Sequence, residues 1–434
     1  MLDHVESELD RRGMVVAEGQ FIIRHRDREG TYQCRVTFDL ARDHPFLIEC
    51  LESAHELGIG PTPMDTFFVR VLPSAEPIEC GLFEMVQKLT GEGADVQIKL
   101  RLQGANRVVD YGLPIVRINA AIANLHQYRF RGPKSLSFCL EGGGWLFKFT
   151  PVGDETFLYP CQSQDKSQSF THSLELRKSD GGTFSCSEAE RALYTLSTFL
   201  SFCTERWVCP SLIVGFDGGG AVAMEDWGSR MLDARHEPTN WLDRDHGSAM
   251  TEVFAGFWRL VEDPAWREAV RTAVYWYVRA DTNHVGPDGA IVLIQAALER
   301  LAWHIVVQQH RAVSEEAFSR RLPTADRIRL LLDTCSIPLE FPAELVDLGG
   351  SAPGQRWKDG PEAFVNVRNR IVHPRERLRP IGGRAYYEAL QLGKWYIELV
   401  LLRSCGFAGQ YSRRLKIPRY VGDVEIVPWA KAVS

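Results

Sequence analysis

The sequence predicts an α+β fold in which a β-rich, sandwich-like and mostly antiparallel domain precedes an all-α helical bundle. Three observations point that way. Short alternating or β-branched stretches fill the first half, Gly/Pro/Asp turns separate them, and the hydrophobic period changes near Thr251 from that of strands to that of helices.

The strand candidates are Val15 to Ile23, Tyr32 to Phe38, Phe67 to Leu72, Val96 to Leu102, Leu136 to Leu140, Trp145 to Phe149 and Phe170 to Leu176. Turn chemistry stands between several of them, at Gly60-Pro61, Gly142 to Gly144 and Ser179-Asp180-Gly181-Gly182. A helix is expected over Glu188 to Trp207, with Ser187 as N-cap and Glu190 completing a capping box. Its Leu193, Leu196, Phe199, Leu200 and Cys203 share one side. Leu212 to Phe216 and Ala221 to Met224 flank Asp217-Gly218-Gly219-Gly220, a hairpin signal. Charged and polar residues between Met231 and Met250 mark the boundary, giving a β-rich domain over 1–235 (with helix 188–207 and hairpin 211–226) and a helical domain over 250–434. In the latter, helices are expected around Phe254 to Val261, Trp266 to Val278, Ala290 to His310, Arg327 to Leu332, Ala363 to His373 and Tyr386 to Leu402, with a polar loop from Gly349 to Gly360.

Bulk composition narrows the function classes. The chain has 434 residues, 45% hydrophobic and 24% charged, which suits an ordinary soluble protein with sizeable cores. A net charge of -6 excludes a polycation, so any nucleic acid must meet a local basic patch. The ten cysteines contain no CxxC pair, and the nearest two, Cys203 and Cys209, lack the spacing and histidine partners of a zinc site. Reduced thiols in a cytoplasm are expected, with no metal and no cofactor. The opening MLDHVESELDRR has no apolar segment of the signal-peptide kind, and runs such as Leu399 to Leu402 are too short to span a bilayer, so no membrane partner is expected. The glycine-rich stretches Glu141 to Gly144 and Asp217 to Gly220 lack the Gly-Lys-Ser/Thr of a phosphate loop and read as turns. Trp258, Trp266, Trp276, Trp303 and Trp395 read as core residues, and His304 and His310, six apart, as packing or surface histidines.

One segment carries chemistry: Phe364-Val-Asn-Val-Arg-Asn-Arg-Ile-Val-His-Pro. Arg368 is permanently cationic and forked for phosphate oxygens; His373 is of the residue type that exchanges protons near neutrality; Asn369 can orient a neighbour. An anion clamp beside a proton shuttle is the least equipment that cleaves RNA through its own 2′-hydroxyl, the nucleophile being already in the substrate. On a helix, positions five apart lie about 140° apart around the axis, whereas Asn369 and His373 are stacked neighbours. Arg368 therefore reaches the same phosphate through its long side chain or from a second copy of the motif, and an isologous dimer is expected. Pro374 disfavours helical geometry at His373 and sets it at the helix end. Arg370, Arg375, Arg377 and Arg379, with Arg356, Lys358 and Arg384 nearby, form a basic flank suited to phosphate backbones. The plainer reading is a solvated loop after a helix.

Arg368-Asn369-Arg370-Ile371-Val372-His373 resembles the R-N-x-x-x-H signature of HEPN domains, small helical bundles of which many are metal-independent ribonucleases. Leu392-Gly-Lys-Trp-Tyr-Ile-Glu-Leu-Val-Leu-Leu-Arg, Gly406-Phe-Ala-Gly-Gln-Tyr and Val427-Pro428-Trp429 are similar to the ApeA-like branch, which acts in abortive infection. The likeness covers roughly Thr251 to the end. It implies a HEPN-type endoribonuclease of anti-phage defence in which Arg368 and His373 are catalytic, Asn369 is the polar residue after the arginine, and Glu299 is a candidate for orienting Arg368; a simple ion pair of Glu299 competes with that role. It also implies RNA as partner (tRNA or another structured RNA), a homodimer through the helical domain with a composite site, and an invader-derived trigger bound by the amino-terminal domain. Two alternatives stay open: a non-catalytic RNA- or protein-binding module on the same fold, and a ligand- or carbohydrate-binding β domain joined to a dimerising helical part.

Overall fold

The structure is a computed structural model. It describes residues 14–38, 46–57, 66–71, 78–90, 93–102, 108–126, 128–130, 137–152, 170–226, 228, 232–233, 239–280, 282–352, 356–373 and 381–433. The architecture is α+β, with antiparallel sheets first and helices after. Two compact units divide it. One comprises Met1–Leu125, Gly144–Tyr194 and Val208–His236; the other comprises His126–Gly143, Thr195–Trp207 and Glu237–Ser434. Residues 126–143 and 195–207, assigned to the β-rich half on sequence, thus group with the helices.

The first unit holds a barrel and a sheet in place of the expected sandwich. Strands β1 (Met14–His25), β2 (Arg28–Phe38), β3 (Phe46–Cys50), β4 (Thr66–Val71), β5 (Ile78–Thr90) and β6 (Gly93–Leu102) close in the order β1-β2-β3-β6-β5-β4, each pair antiparallel. Closure removes the exposed edges that an open sheet of this width leaves. In β2 the side chains of Tyr32, Cys34, Val36 and Phe38 are buried while their neighbours are more exposed, the period of two that a barrel wall requires. With Phe21, Ile23, Ile48, Phe67, Val69, Cys80 and Leu100 they fill the interior.

Strands β7 (Val108–Asp110), β8 (Arg117–Ala123), β10 (Trp145–Pro151), β11 (Phe170–Lys178), β12 (Pro210–Phe216) and β13 (Val222–Asp226) of the same unit form an antiparallel sheet ordered β7-β13-β12-β8-β11-β10, while β9 (Phe138–Gly142) groups with the helices. The β12–β13 hairpin turns where the sequence predicts it: Asp217 Oδ1 accepts from the Gly219 and Ala221 amides at 2.9 and 2.8 Å, and Gly220 adopts φ 85°.

Helix α1 (Cys186–Thr204) starts one capping box earlier than expected. Ser185 Oγ accepts from the Glu188 amide at 3.3 Å and the Glu188 carboxylate accepts from the Ser185 amide at 3.0 Å, so Ser185 and Glu188, not Ser187 and Glu190, form the pair. Then come α2 (Ser248–Glu262), α3 (Pro264–Arg279) and α4 (Thr282–Ala302), the last interrupted at Gly286 and continued by a π-helical stretch, Trp303–Gln309. Short α5 (Glu315–Arg320), α6 (Thr324–Thr334), short α7 (Val346–Gly350), α8 (Gly360–Val372) and α9 (Gly383–Ser404) complete the set, and β14 (Gln410–Tyr411) pairs with β15 (Glu425–Ile426). The helical core is aromatic: Phe202 stacks on Trp241 at 5.3 Å, and Phe199 meets Phe254 and Phe257 at 4.9 and 5.3 Å.

Val285–Gln309 is long and apolar enough by length and composition to cross a membrane, although no uninterrupted apolar run showed it; 61% of its most apolar 18-residue window is buried within the fold, as in a core helix. Of the five tryptophans expected in the core, Trp258, Trp266 and Trp395 are buried, and Trp276 and Trp303 half-buried. His304 is buried edge-on against Trp266 at 4.2 Å, and His310 is exposed.

Candidate active site

Helix α8 carries the motif, and its amino-terminal end is fixed several times over. Asp359 is the N-cap: its Oδ1 accepts from the Glu362 amide at 2.8 Å, and Glu362 in turn accepts from the Lys358 amide at 2.7 Å. Arg329 of α6 grips both Asp359 oxygens through Nε and Nη2 while its Nη1 reaches Asp326, an arrangement that holds the guanidinium charged. One face of α8 buries Ala363, Phe364, Val365 and Val367. Close approach requires two glycines. A Cβ on Gly360 would clash with Tyr396 Oη, and one on Gly393 of α9 would meet Phe364 and Ile294 at 2.5 and 2.6 Å.

The other end of α8 is open. Asn369 and His373 are exposed, and Arg368 is half-buried. His373 is the C-cap, at φ −125° and ψ 69°, outside helical geometry as the following proline dictates. Asn369 touches both other members: its Oδ1 accepts from Arg368 Nη1 at 3.3 Å, and its main-chain oxygen accepts from the His373 amide at 2.8 Å. Among the described residues Arg368 Nε is buried without a hydrogen-bond partner. The side chain thus reaches its own neighbour Asn369 through Nη1, while its Nε is a buried donor left unsatisfied.

Glu299 of α4 does not pair with Arg368. Its oxygens accept from Gln295 Nε2 at 2.7 Å and from Arg327 Nη1 at 3.0 Å, the ion pair that competed with the orienting role. Of the basic flank, Arg370 is half-buried, and Arg356, Lys358 and Arg384 are exposed. Arg375, Arg377 and Arg379 lie outside the described residues. Among the described residues no group of three His, Cys, Asp or Glu side chains could hold a metal ion.

A second cluster in the helical unit escaped the sequence. Glu205 accepts from Lys394 Nζ and Arg414 Nη2, both at 2.5 Å. Arg414 also donates to Glu398 from Nη2 at 2.6 Å and from Nε at 2.9 Å, and to Gln391 at 2.7 Å, while Tyr277 donates to Glu398 at 2.5 Å. All four charged groups are buried. Burial alone pushes the Glu205 carboxyl up, but the charges of Arg414 and Lys394 outweigh it and hold the group down at about 2. Burial dominates at Glu398, whose carboxyl is raised, and at Tyr277, whose phenol is pushed far up. The available signal was Lys394 and Glu398, four apart in an otherwise apolar helix, a spacing that puts two charges on one face where none is expected.

Two family models match the chain. The YopA central domain model matches residues 114–238 and the YopA C-terminal domain model residues 263–426, which contain α8 and the buried charge cluster residues Tyr277, Gln391, Lys394, Glu398 and Arg414. The chain is also similar to the SPbeta prophage-derived protein YopA of Bacillus subtilis strain 168, at 28% identity over 260 residues. That match spans 60% of this chain and 58% of the relative. No solved structure matches. The barrel strands β1 to β6 lie outside both matched regions.

Proposed function

We propose that the chain is a metal-independent endoribonuclease of the HEPN type, acting in phage–host conflict, with Arg368, Asn369 and His373 as its working residues. The observation that carries this reading is the geometry of Asn369, which hydrogen-bonds the Arg368 guanidinium through its side chain and the His373 amide through its backbone. Arg368 and Asn369 are thus joined through their side chains, and the last main-chain bond of the helix sets His373 beside them at the accessible end of a helix that is locked at the other. Arg368 binds the scissile phosphate; the His373 imidazole takes the 2′-hydroxyl proton or returns one to the leaving 5′-oxygen; the products are a 2′,3′-cyclic phosphate and a 5′-hydroxyl. The resemblance to HEPN domains rests on the motif and its flanks, and the prophage origin of the YopA relative fits a role in contests between phage and host. A second chain across a two-fold axis supplies the complementary arginine or histidine, RNA is the substrate, and a trigger of invader origin acts through the β-rich unit in the cytoplasm.

The test is cleavage of total RNA by the purified chain in EDTA, beside Arg368→Ala and His373→Ala, with oligomeric mass measured in parallel. Cleavage abolished in both variants and cyclic-phosphate ends in the products support the proposal. RNA left intact by wild type, or cut equally by the variants, refutes it. The alternative is a non-catalytic RNA- or protein-binding module: among the described residues Arg368 bonds its own neighbour Asn369, and no hydrogen bond joins it to the His373 imidazole within one chain. That reading predicts salt-sensitive RNA retention that survives His373→Ala without cleavage by any form.

A further inference from the structure

We propose that Cys34 and Cys50 are a disulfide site, two barrel thiols that join across strands β2 and β3 when a small-molecule disulfide such as oxidised glutathione accepts their electrons. The two residues are direct partners in the antiparallel register, and their Sγ atoms lie 3.6 Å apart. The Leu51 amide donates to the Gln33 carbonyl at 2.8 Å, which makes 33 and 51 the hydrogen-bonded pair. The adjoining pair, 34 and 50, is then the narrow type, with Cα atoms about 4.5 Å apart in standard geometry. That spacing falls inside the roughly 4.4–6.8 Å over which a disulfide forms without backbone movement. Both side chains point into the interior, at 0% and 3% exposure. The third thiol of the barrel, Cys80, is directed instead toward its own Ile78 carbonyl at 3.8 Å.

The chemistry balances in two exchanges. The thiolate of one cysteine attacks oxidised glutathione, forming a mixed disulfide and releasing one reduced glutathione. The second cysteine, losing its proton, attacks the protein sulfur and releases another. Two S–H bonds and one S–S bond are lost, and one protein S–S bond and two glutathione thiols are gained. Closing from 3.6 Å to about 2.05 Å is within reach of side-chain rotation. The hydrogen bond to Cys34, together with burial, pushes the Cys50 thiol far up, so oxidation waits on local opening of the barrel and is slow. Once formed, the bond closes a 16-residue separation from β2 to β3 and restrains the unfolded barrel.

The experiment uses the full chain, purified reduced and held natively with oxidised glutathione at temperatures approaching the first melting transition, so that opening is sampled. After acid quench, denaturation and alkylation, the digest is mapped by mass spectrometry. The expected result is one peptide pair linked through Cys34 and Cys50, two fewer alkylated thiols, and an upward melting shift of several degrees that dithiothreitol reverses. Cys34→Ser and Cys34→Ala, the latter in case a buried hydroxyl is poorly tolerated, each remove the link and the shift. Both thiols alkylated after prolonged oxidation, a mixed disulfide that never closes, a link from either cysteine to Cys80, or a melting shift that survives in the variants overturns the proposal.

Discussion

Replacing Arg414 by Leu tests the buried charge cluster most directly. In the native helical unit Arg414 is the cation that Glu205 and Glu398 share, with its side chain fully buried. Its loss leaves Lys394 opposite Glu205, and among the described residues it leaves Glu398 with the Tyr277 hydroxyl as its one hydrogen-bond partner. Breaking a buried pair by removing one partner costs roughly 3–5 kcal/mol, because a desolvated charge is left uncompensated. The acid side of the stability profile gives an independent handle. The Glu205 carboxyl is held at about 2 against an unfolded value of 4.5, and a gap of that size corresponds to roughly 3 kcal/mol. Since the folded value is the lower one, this stabilisation is complete above about pH 4.5 and is lost as pH falls toward 2. Thermal melting by far-UV circular dichroism between about pH 8 and pH 3 reads both effects. For a unit of about 150–250 residues each kcal/mol moves the midpoint by roughly 2–4 °C, so Arg414→Leu is expected to lower it by roughly 6–20 °C at neutral pH. Adding Glu398→Gln removes the stranded carboxylate and recovers part of the loss. A variant that melts within about 2 °C of wild type, or a double variant that melts lower than the single, refutes the reasoning.

His172 lies fully buried in the sheet, and burial lowers its imidazole to about 3. The folded value being depressed below the ordinary 6.5, its neutral form stabilises the sheet above that pH, and the contribution drains away as pH falls toward 3; His172→Gln is expected to flatten the acid limb of the first unit's melting curve. Asp359→Ala removes the N-cap of α8 and strands Arg329, so it is expected to cost at least about 1–2 kcal/mol in denaturant titrations. Gly393→Ala drives a methyl into Phe364 and Ile294 and is expected to cost roughly 1–3 kcal/mol by the same titration. Asn369→Ala frees Arg368 and is expected to reduce RNA cleavage at least tenfold while the melting midpoint stays put, a difference that single-turnover kinetics resolves.

Legibility tracked how local the determinants were. The strands around Tyr32–Phe38, Trp145 and Phe170 announced themselves through alternation, which is a property of the strand alone. Strand β5, with Glu84, Met85, Gln87, Lys88 and Leu89, is rich in helix formers, and β8 has alanines at 120, 121 and 123; both are strands because neighbours pair on either side. No window of sequence reports that. Helix α7 contains Gly349 and Gly350, which read as loop, yet the Glu388 carboxylate accepts from the Leu348 amide at 2.7 Å and steadies that turn from 40 residues away. The sandwich became a barrel for the same reason: β1 returns to β4, a pairing that only the folded register reveals. At the site, the helix end at His373 followed from Pro374, a local steric rule. The fate of Glu299 did not, since Arg327 sits 28 residues away and a neighbouring helix decides whether it arrives.

The two ends of α8 divide the labour in a way that separates stability from chemistry. At the amino-terminal end, Asp359, Arg329, Gly360 and the Phe364–Gly393 contact are buried or half-buried and mutually satisfied, so changes there should act on folding free energy. At the carboxy-terminal end, Asn369 and His373 are exposed, and Arg368 is half-buried with its Nε unsatisfied among the described residues. Exposed polar groups contribute little to stability, so a constellation held in place by a distant lock and left open to solvent gains little for the fold from its residue types. That asymmetry is what a site needs: a rigid base that fixes the groups' positions and an accessible tip where their charge and proton exchange are available to a substrate. It also makes the proposal sharp, since substitutions at the tip that moved the melting midpoint as far as those at the base would assign the motif to packing.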